Sequence, residues 1–176
     1  MTLLRPLAVL VCACMLTVSA AIAGIPAAYA PIVVLPVGTP ERYEFDLTGA
    51  LRRAQRERKR LYVYLGADNC PFCRKYEAFL QSHATGLTAH FAKDYLVVDL
   101  RSTLAAQASR LYIRKGDVTL PYADFQRSIN DERARVLVYP SVWLLDAAAR
   151  PLMQMPAGTG TFETVQEQLE ILRLEN

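Results

Sequence analysis

The sequence contains few cysteines. Only four occur among its 176 residues, and two of them, Cys12 and Cys14, lie within an apolar N-terminal segment. The rest of the chain therefore has a single pair, Cys70 and Cys73, separated by two residues. Small exported domains that depend on disulfides for stability carry a denser set of cysteines. The pair is poorly explained as a disulfide scaffold and is better considered for its chemistry.

Histidine is scarcer still, with only His83 and His90 in the chain. Together with Cys70 and Cys73 they give an order that superficially resembles a zinc finger. The gap before His83 is too short for that site, however, and the gap between the two histidines is too long. We therefore expect no zinc site. Binding of copper(I), a soft ion that thiolates coordinate well, by the two cysteines is an alternative.

The net charge is also small, +3 at pH 7 from 20 basic and 17 acidic side chains. A nucleic-acid-binding domain would typically concentrate positive charge on one surface. The one basic run, at residues 52–60, ends a predicted amphipathic helix and is interpreted as its solvent-exposed face. We expect no nucleic-acid partner.

Long apolar runs are missing except near the N-terminus. An apolar stretch from Leu7 to Val18 is followed by the small-residue tripeptide Ala-Ile-Ala at 21–23. This pattern predicts a signal peptide over residues 1–23 and a periplasmic protein. The tripeptide Ala-Tyr-Ala at 28–30 is a second candidate for cleavage. Counted from Leu7 to Ala23, the apolar segment is about 17 residues long, slightly short for a membrane span of ~20, so an uncleaved anchor through residues 6–23 is the alternative.

The most informative stretch runs from a strand into a helix. An apolar segment from Leu61 to Leu65 has strand length, and Gly66 to Asn69 interrupts it. Apolar residues then recur at helical spacing, at Phe72, Tyr76, Phe79 and Leu80. Cys70 would thus stand at a helix N-terminus, where free N–H groups and the helix dipole favour a thiolate, and Pro71 suits the first turn. We predict Cys70 as the nucleophile and Cys73 as the resolving thiol.

This strand, loop and Cys-Pro-Phe-Cys helix start resembles the active site of the thioredoxin superfamily. A second match lies downstream, where Pro140 precedes the apolar segment from Val142 to Leu145. Proteins of this superfamily carry a cis-proline just before a central strand, facing the cysteine pair. The resemblance covers residues 43–176 and predicts a thioredoxin-like domain there.

The resemblance and the order of the predicted elements indicate an α/β thioredoxin fold, with a mixed four- to five-stranded sheet flanked by helices. Residues 24–42, which include several prolines, are predicted as an extended linker. The chain between Asp99 and Pro140 is longer than a minimal thioredoxin needs. Apolar spacing from Leu104 to Tyr112 and a second helical pattern over 121–135 predict a helical insertion before the cis-proline strand. This insertion either shapes a substrate groove or only packs against the rest of the domain.

The resemblance also implies how substrates bind. Pro71 and Phe72 lie between the cysteines, while Tyr139 and Pro140 are expected to form the opposite wall and to orient the substrate backbone. The sequence departs from the thioredoxin pattern at Tyr64, which occupies the position of a buried acid in that family. The Pro-Phe dipeptide is closer to the Pro-Tyr of glutaredoxins than to the Gly-Pro of thioredoxin.

The motif is similar to exported thioredoxin-like proteins of the SoxW type and to the C-terminal domain of the DsbD type. This similarity implies an exported thiol–disulfide oxidoreductase that reduces protein disulfides. The expected partners are protein disulfide substrates and a membrane thiol that donates electrons. We expect a monomer with no cofactor besides the redox-active pair Cys70–Cys73. The alternative is a thioredoxin-fold copper chaperone or a non-catalytic binding module.

Overall fold

The computed structural model describes residues 24–39, 41–131, 136–155 and 163–173. The predicted signal peptide at 1–23 lies outside the described residues, as does the end of the predicted second helix of the insertion, at 132–135. No helix in the described part of the chain is long and apolar enough to cross a membrane.

The described strands are β1 (Ile32–Val34), β2 (Val37–Thr39), β3 (Arg42–Asp46), β4 (Arg60–Asp68), β5 (Tyr95–Thr103), β6 (Leu111–Lys115), β7 (Val118–Pro121), β8 (Ser141–Leu145) and β9 (Pro151–Met155). The described α-helices are α1 (Thr48–Glu57), α2 (Pro71–Ser82), α3 (Ala84–Asp94), α4 (Tyr122–Ser128) and α5 (Val165–Arg173). Short 3-10 turns occur at Ala27–Tyr29 and Ala108–Arg110.

The central sheet has five strands in the order β1, β5, β4, β8, β9. Strand β4 lies in the middle, parallel to β5 and antiparallel to β8. Seven consecutive residues of β4, 61–67, are buried, which is typical of a strand covered by helices on both faces. The predicted mixed sheet of four to five strands is therefore confirmed.

Alternation along β4 divides the interior into two cores, because successive side chains of a strand point to opposite faces. Leu61, Val63 and Leu65 pack against helices α1 and α4. Tyr62 and Tyr64 face the other way, toward α2, α3 and α5. Helix α2, which begins with the cysteine motif, is thus held on an aromatic surface of the sheet.

The predicted linker at 24–42 belongs to the folded domain in this structure. Strand β1 pairs in parallel with residues 98–100 of β5, and it forms an edge of the central sheet. Tyr29 is buried, and its hydroxyl donates a hydrogen bond to the Leu80 carbonyl oxygen at 2.9 Å. The backbone is extended at β1 and β2 but forms a 3-10 turn at Ala27–Tyr29, and apolar side chains in this segment anchor it to α2 and α3.

The predicted insertion is only partly helical. Where a helix was expected from Leu104 to Tyr112, the chain forms a turn, the 3-10 turn Ala108–Arg110 and the first two residues of β6. The hairpin β6–β7 joins β2 and β3 in a second, four-stranded sheet. Leu111 and Ile113, at positions i and i+2, are both buried, as expected for one face of a strand. Gly116 forms the turn between the two strands with a φ of 64°. The second predicted helix is present as α4, with Phe125 buried in the core.

Candidate active site at Cys70 and Cys73

The cysteine pair opens helix α2. Strand β4 ends at Asp68, and Asn69 makes the sharp turn into the helix with a φ of 58°, a left-handed conformation that asparagine tolerates. Cys70 is the N-cap residue, and its Sγ accepts a hydrogen bond from the Cys73 backbone N–H at 3.1 Å. The two cysteines form a disulfide with a Cα–Cα distance of 5.2 Å.

This geometry is suited to stabilising a thiolate at Cys70. After reduction of the disulfide, a negative charge on the Cys70 sulfur would accept the hydrogen bond from the Cys73 N–H and would lie at the positive end of the α2 dipole. Both effects lower the pKa of a cysteine relative to its ordinary value. The predicted placement of Cys70 just before a helix is therefore confirmed, with Pro71 as the first helical residue.

The disulfide itself is buried, while the residues between the cysteines are exposed. Cys70 is 2% exposed and Cys73 is 0% exposed, whereas Phe72 is 50% exposed. Pro71 is also exposed. A large apolar side chain in contact with water beside a reactive bond is a typical anchor for a bound partner.

Tyr139 packs against the cysteine pair. Its ring packs against a small cluster formed by Ala67, Cys70 and Cys73, and the Tyr139–Pro140 peptide bond is cis. The Tyr139 hydroxyl donates a hydrogen bond to Ser102 Oγ at 2.8 Å. Burial raises the pKa of Tyr139, which keeps the hydroxyl protonated at neutral pH. Of the four residues predicted to contact substrate, Pro71 and Phe72 are exposed at the start of α2, Tyr139 packs against the cysteine cluster, and Pro140 follows Tyr139 through the cis peptide bond.

Two buried carboxyl groups near the site escaped the sequence analysis. Glu77 lies one helical turn after Cys73 and is 8% exposed, and Asp99 on β5 is 0% exposed. The Tyr64 hydroxyl donates a hydrogen bond to Glu77 Oε1 at 2.9 Å, and Tyr64 stands opposite Asp99 in the sheet. Tyr64 therefore does not replace a buried acid but contacts one. An acidic residue inside the apolar run of β5 was the signal that could have revealed this cluster.

Each carboxyl group has one arginine partner. Arg74 Nη1 lies 2.7 Å from Glu77 Oε2, and Arg101 Nε lies 3.0 Å from Asp99 Oδ2. Burial nevertheless raises the pKa of both Glu77 and Asp99, because desolvation outweighs the attraction of the arginines. The Arg74 side chain also reaches the Ala67 carbonyl oxygen at 3.5 Å, which links the carboxyl groups to the small cluster around the cysteines.

The histidines are not part of this site. His83 follows the C-terminal end of α2, where its Nδ1 lies 2.9 Å from the Phe79 carbonyl oxygen. In the part of the chain that the structure describes, no three His, Cys, Asp or Glu side chains are grouped so that they could hold a metal ion.

A mixed sheet with a Cys-x-x-Cys pair at the start of α2 and a cis-proline before β8 defines the class of thioredoxin-fold proteins. A family model described as a thioredoxin-like domain matches residues 47–172, and the chain belongs to this family. A search of curated proteins gives no match. Membership of the family supports a function of the thiol–disulfide oxidoreductase type in general.

Proposed function

We propose that this protein is an exported thiol–disulfide oxidoreductase that reduces protein disulfides in the periplasm. The observation that carries the proposal is the position of Cys70 Sγ, which caps α2 and accepts the Cys73 amide hydrogen. The proposal of export rests on the signal-peptide pattern at residues 1–23.

In the proposed reaction, the reduced protein begins with Cys70 as a thiolate and Cys73 as a thiol. The Cys70 sulfur attacks one sulfur of a substrate disulfide, so that a mixed disulfide forms and the other substrate sulfur leaves as a thiolate. Cys73 then loses its proton and attacks the Cys70 sulfur of the mixed disulfide. The substrate leaves with two electrons, and the Cys70–Cys73 disulfide is formed.

Another cycle requires a dithiol donor that returns two electrons to this disulfide by the same exchange in reverse. We assign that role to a thiol pair of a membrane protein that faces the periplasm. The exposed Phe72 and Pro71 would contact both partners in turn, because both must reach the Cys70 sulfur from the same side.

The test of this proposal is the reduction of insulin by the purified protein with dithiothreitol as electron donor. We expect precipitation of the insulin B chain well before it appears with dithiothreitol alone. A parallel titration with copper(I) examines the alternative of a metal carrier. Tight binding of one copper(I) ion without any acceleration of insulin reduction would contradict the proposal.

Tyr139 offers a prediction about substrate binding. Tyr139→Ala removes the ring that covers the cysteines, and we expect a higher KM for a peptide disulfide together with a smaller change in kcat. Tyr139→Phe keeps the ring and removes only the hydroxyl, which donates to Ser102 Oγ and lies 3.4 Å from the Thr103 carbonyl oxygen; its loss costs about 1 kcal/mol of stability. Steady-state kinetics and urea denaturation of both variants measure these effects. An unchanged KM in Tyr139→Ala would refute the role of this ring in binding.

A further inference from the structure

The buried carboxyl groups of Glu77 and Asp99 have no part in the proposed reaction, and the backbone of residues 24 and 25 lies beside them. Gly24, Glu77 and Asp99 line the same small space. The Ile25 N–H donates a hydrogen bond to Asp99 Oδ2 at 3.1 Å. The backbone at residues 24 and 25 is therefore held next to two carboxyl groups from different elements, α2 and β5.

The fit at position 24 is close. A Cβ atom on Gly24 would collide with Asp99 Oδ2 and would lie 2.7 Å from Arg101 Nη2. A side chain at this position would have to displace Asp99 or Arg101, and the φ of 135° is one that residues with a Cβ atom rarely adopt, so glycine suits this position. The site is shaped around the backbone of residue 24.

The site can also accept more hydrogen-bond donors than it holds. Asp99 is fully buried, and among the described residues its Oδ1 has no hydrogen-bond partner. A buried, unpaired carboxylate oxygen is costly, and a further charged donor would relieve that cost. A single backbone amide supplies one N–H at position 24, whereas an ammonium group at the same nitrogen supplies three.

The sequence provides a way to make that ammonium group. The tripeptide Ala-Ile-Ala at 21–23, a candidate signal-peptidase site, ends immediately before Gly24. Hydrolysis would add water across the Ala23–Gly24 peptide bond, leaving a carboxylate on Ala23 and an α-amino group on Gly24. That amino group takes up a proton near neutral pH, since an unperturbed α-amino group has a pKa of about 7.7–8.0.

We propose that cleavage after Ala23 makes Gly24 the N-terminus of the mature protein, and that the carboxylates of Glu77 and Asp99 bind its α-ammonium group. The inference rests on the export part of the proposed function and is independent of the redox activity.

The structure argues against cleavage at the second candidate site, after Ala30. That cut would remove Ile25 and Tyr29, both of which are buried. It would also remove the hydrogen bond from Tyr29 to Leu80 and the edge-to-face contact between Tyr29 and Phe91, whose ring centroids lie 5.0 Å apart. The domain would lose part of its second core as well as the groups that cover Asp99.

Binding of the ammonium group has a distinct pH dependence. Charged and titratable groups line this small space from three elements: Arg74 and Glu77 on α2, Tyr64 and Asp68 on β4, and Asp99 and Arg101 on β5. Burial raises the pKa values of Glu77 and Asp99 in the folded protein. Without the ammonium group, the free energy of unfolding therefore falls as the pH rises through these pKa values and the two carboxyl groups ionise. The ammonium group counters this loss at neutral pH, when it is charged and both carboxyl groups are ionised. Its advantage disappears in acid, where the carboxyl groups are protonated, and in alkali, where the amine is neutral.

The first experiment expresses the full-length chain in a bacterium and determines the N-terminus of the exported protein by intact mass and sequencing. We expect the sequence Gly-Ile-Pro-Ala-Ala, beginning at Gly24. A protein that begins at Pro31, or one that retains Met1, would overturn the proposal.

The second experiment separates the ammonium site from cleavage itself. A matched precursor carries one serine inserted between Ala23 and Gly24, which moves the charge away by about 3.8 Å along the chain. We expect the unextended protein to have an unfolding equilibrium constant about tenfold lower at pH 7, and a much smaller difference at pH 4 and at pH 10. Glu77→Gln should reduce the pH 7 difference. Equal stability of both proteins at pH 7 would refute the ammonium site, and insulin reduction by both reports separately on the proposed function.

Discussion

Cys73→Ser is expected to retain substrates as stable mixed disulfides, whereas Cys70→Ser is expected to retain none. Cys70 caps α2 and would carry the attacking thiolate, so its loss removes the first step of the exchange. Cys73 is completely buried and can reach only a sulfur already attached to Cys70. Its loss stops the reaction after the first step. Insulin reduction should fall to the background rate in both variants.

The measurement is electrophoresis of exported protein under non-reducing conditions after rapid alkylation of free thiols. We expect higher-mass adducts with Cys73→Ser that disappear on addition of dithiothreitol. The double variant Cys70→Ser, Cys73→Ser is the matched control and should form no adducts. Adducts of equal abundance in the two single variants would show that the assigned roles are wrong.

Trp143→Ala is expected to lower the free energy of unfolding by about 3–5 kcal/mol, the range for a large aromatic residue removed from a core. Trp143 is completely buried on β8, with the Phe125 ring edge-to-face at 5.5 Å between centroids. Its indole N–H donates a hydrogen bond to Asp131 Oδ2 at 3.2 Å. Both the cavity and the lost hydrogen bond therefore destabilise the variant.

Urea denaturation followed by circular dichroism measures this effect, because the substitution removes the only tryptophan of the chain. Val118→Ala is the matched control on the exposed surface of β7, and it should change stability by less than about 1 kcal/mol. If both variants lose the same stability, the helix-covered face around Trp143 is not the main core.

The centre of the fold could be predicted because its signals are local. Strand β4 reads as an uninterrupted apolar run, since helices cover both of its faces. The break after it and the Cys-Pro-Phe-Cys helix start lie within a few residues of one another. Pro140 before an apolar segment then predicts strand β8, which is the antiparallel neighbour of β4.

The hairpin β6–β7 could not be predicted from local spacing. The apolar spacing from Leu104 to Tyr112 fits a helix, but Leu111 and Tyr112 belong to β6, whose formation depends on pairing with a distant strand. Strand β6 pairs in parallel with β3, whose residues lie about seventy positions earlier, as the Tyr43–Leu111 register shows. The same reason applies to β1, whose partner in β5 is equally remote.

The carboxyl cluster was missed for a related reason. Glu77 and Asp99 come from a helix and a strand, and Gly24 comes from a segment that was predicted as a linker. No spacing along the chain connects these three residues, and only the packing of α2 on the sheet brings them together. The absence of an acid at position 64 was correctly noted, but Tyr64 contacts the acid that another element supplies.

In the proposed function, Cys70 and Cys73 form a redox couple that reduces other disulfides. The most direct test equilibrates the exported protein in dithiothreitol or glutathione buffers and measures the oxidised fraction by alkylation and mass. We expect a single two-electron couple, in which the ratio of oxidised to reduced protein changes tenfold per 29.6 mV, with a potential close to the thioredoxin value of about −270 mV. A potential of about −120 mV would contradict the proposal of a reductase and would indicate a protein that donates disulfides. No exchange with either buffer would contradict the oxidoreductase itself.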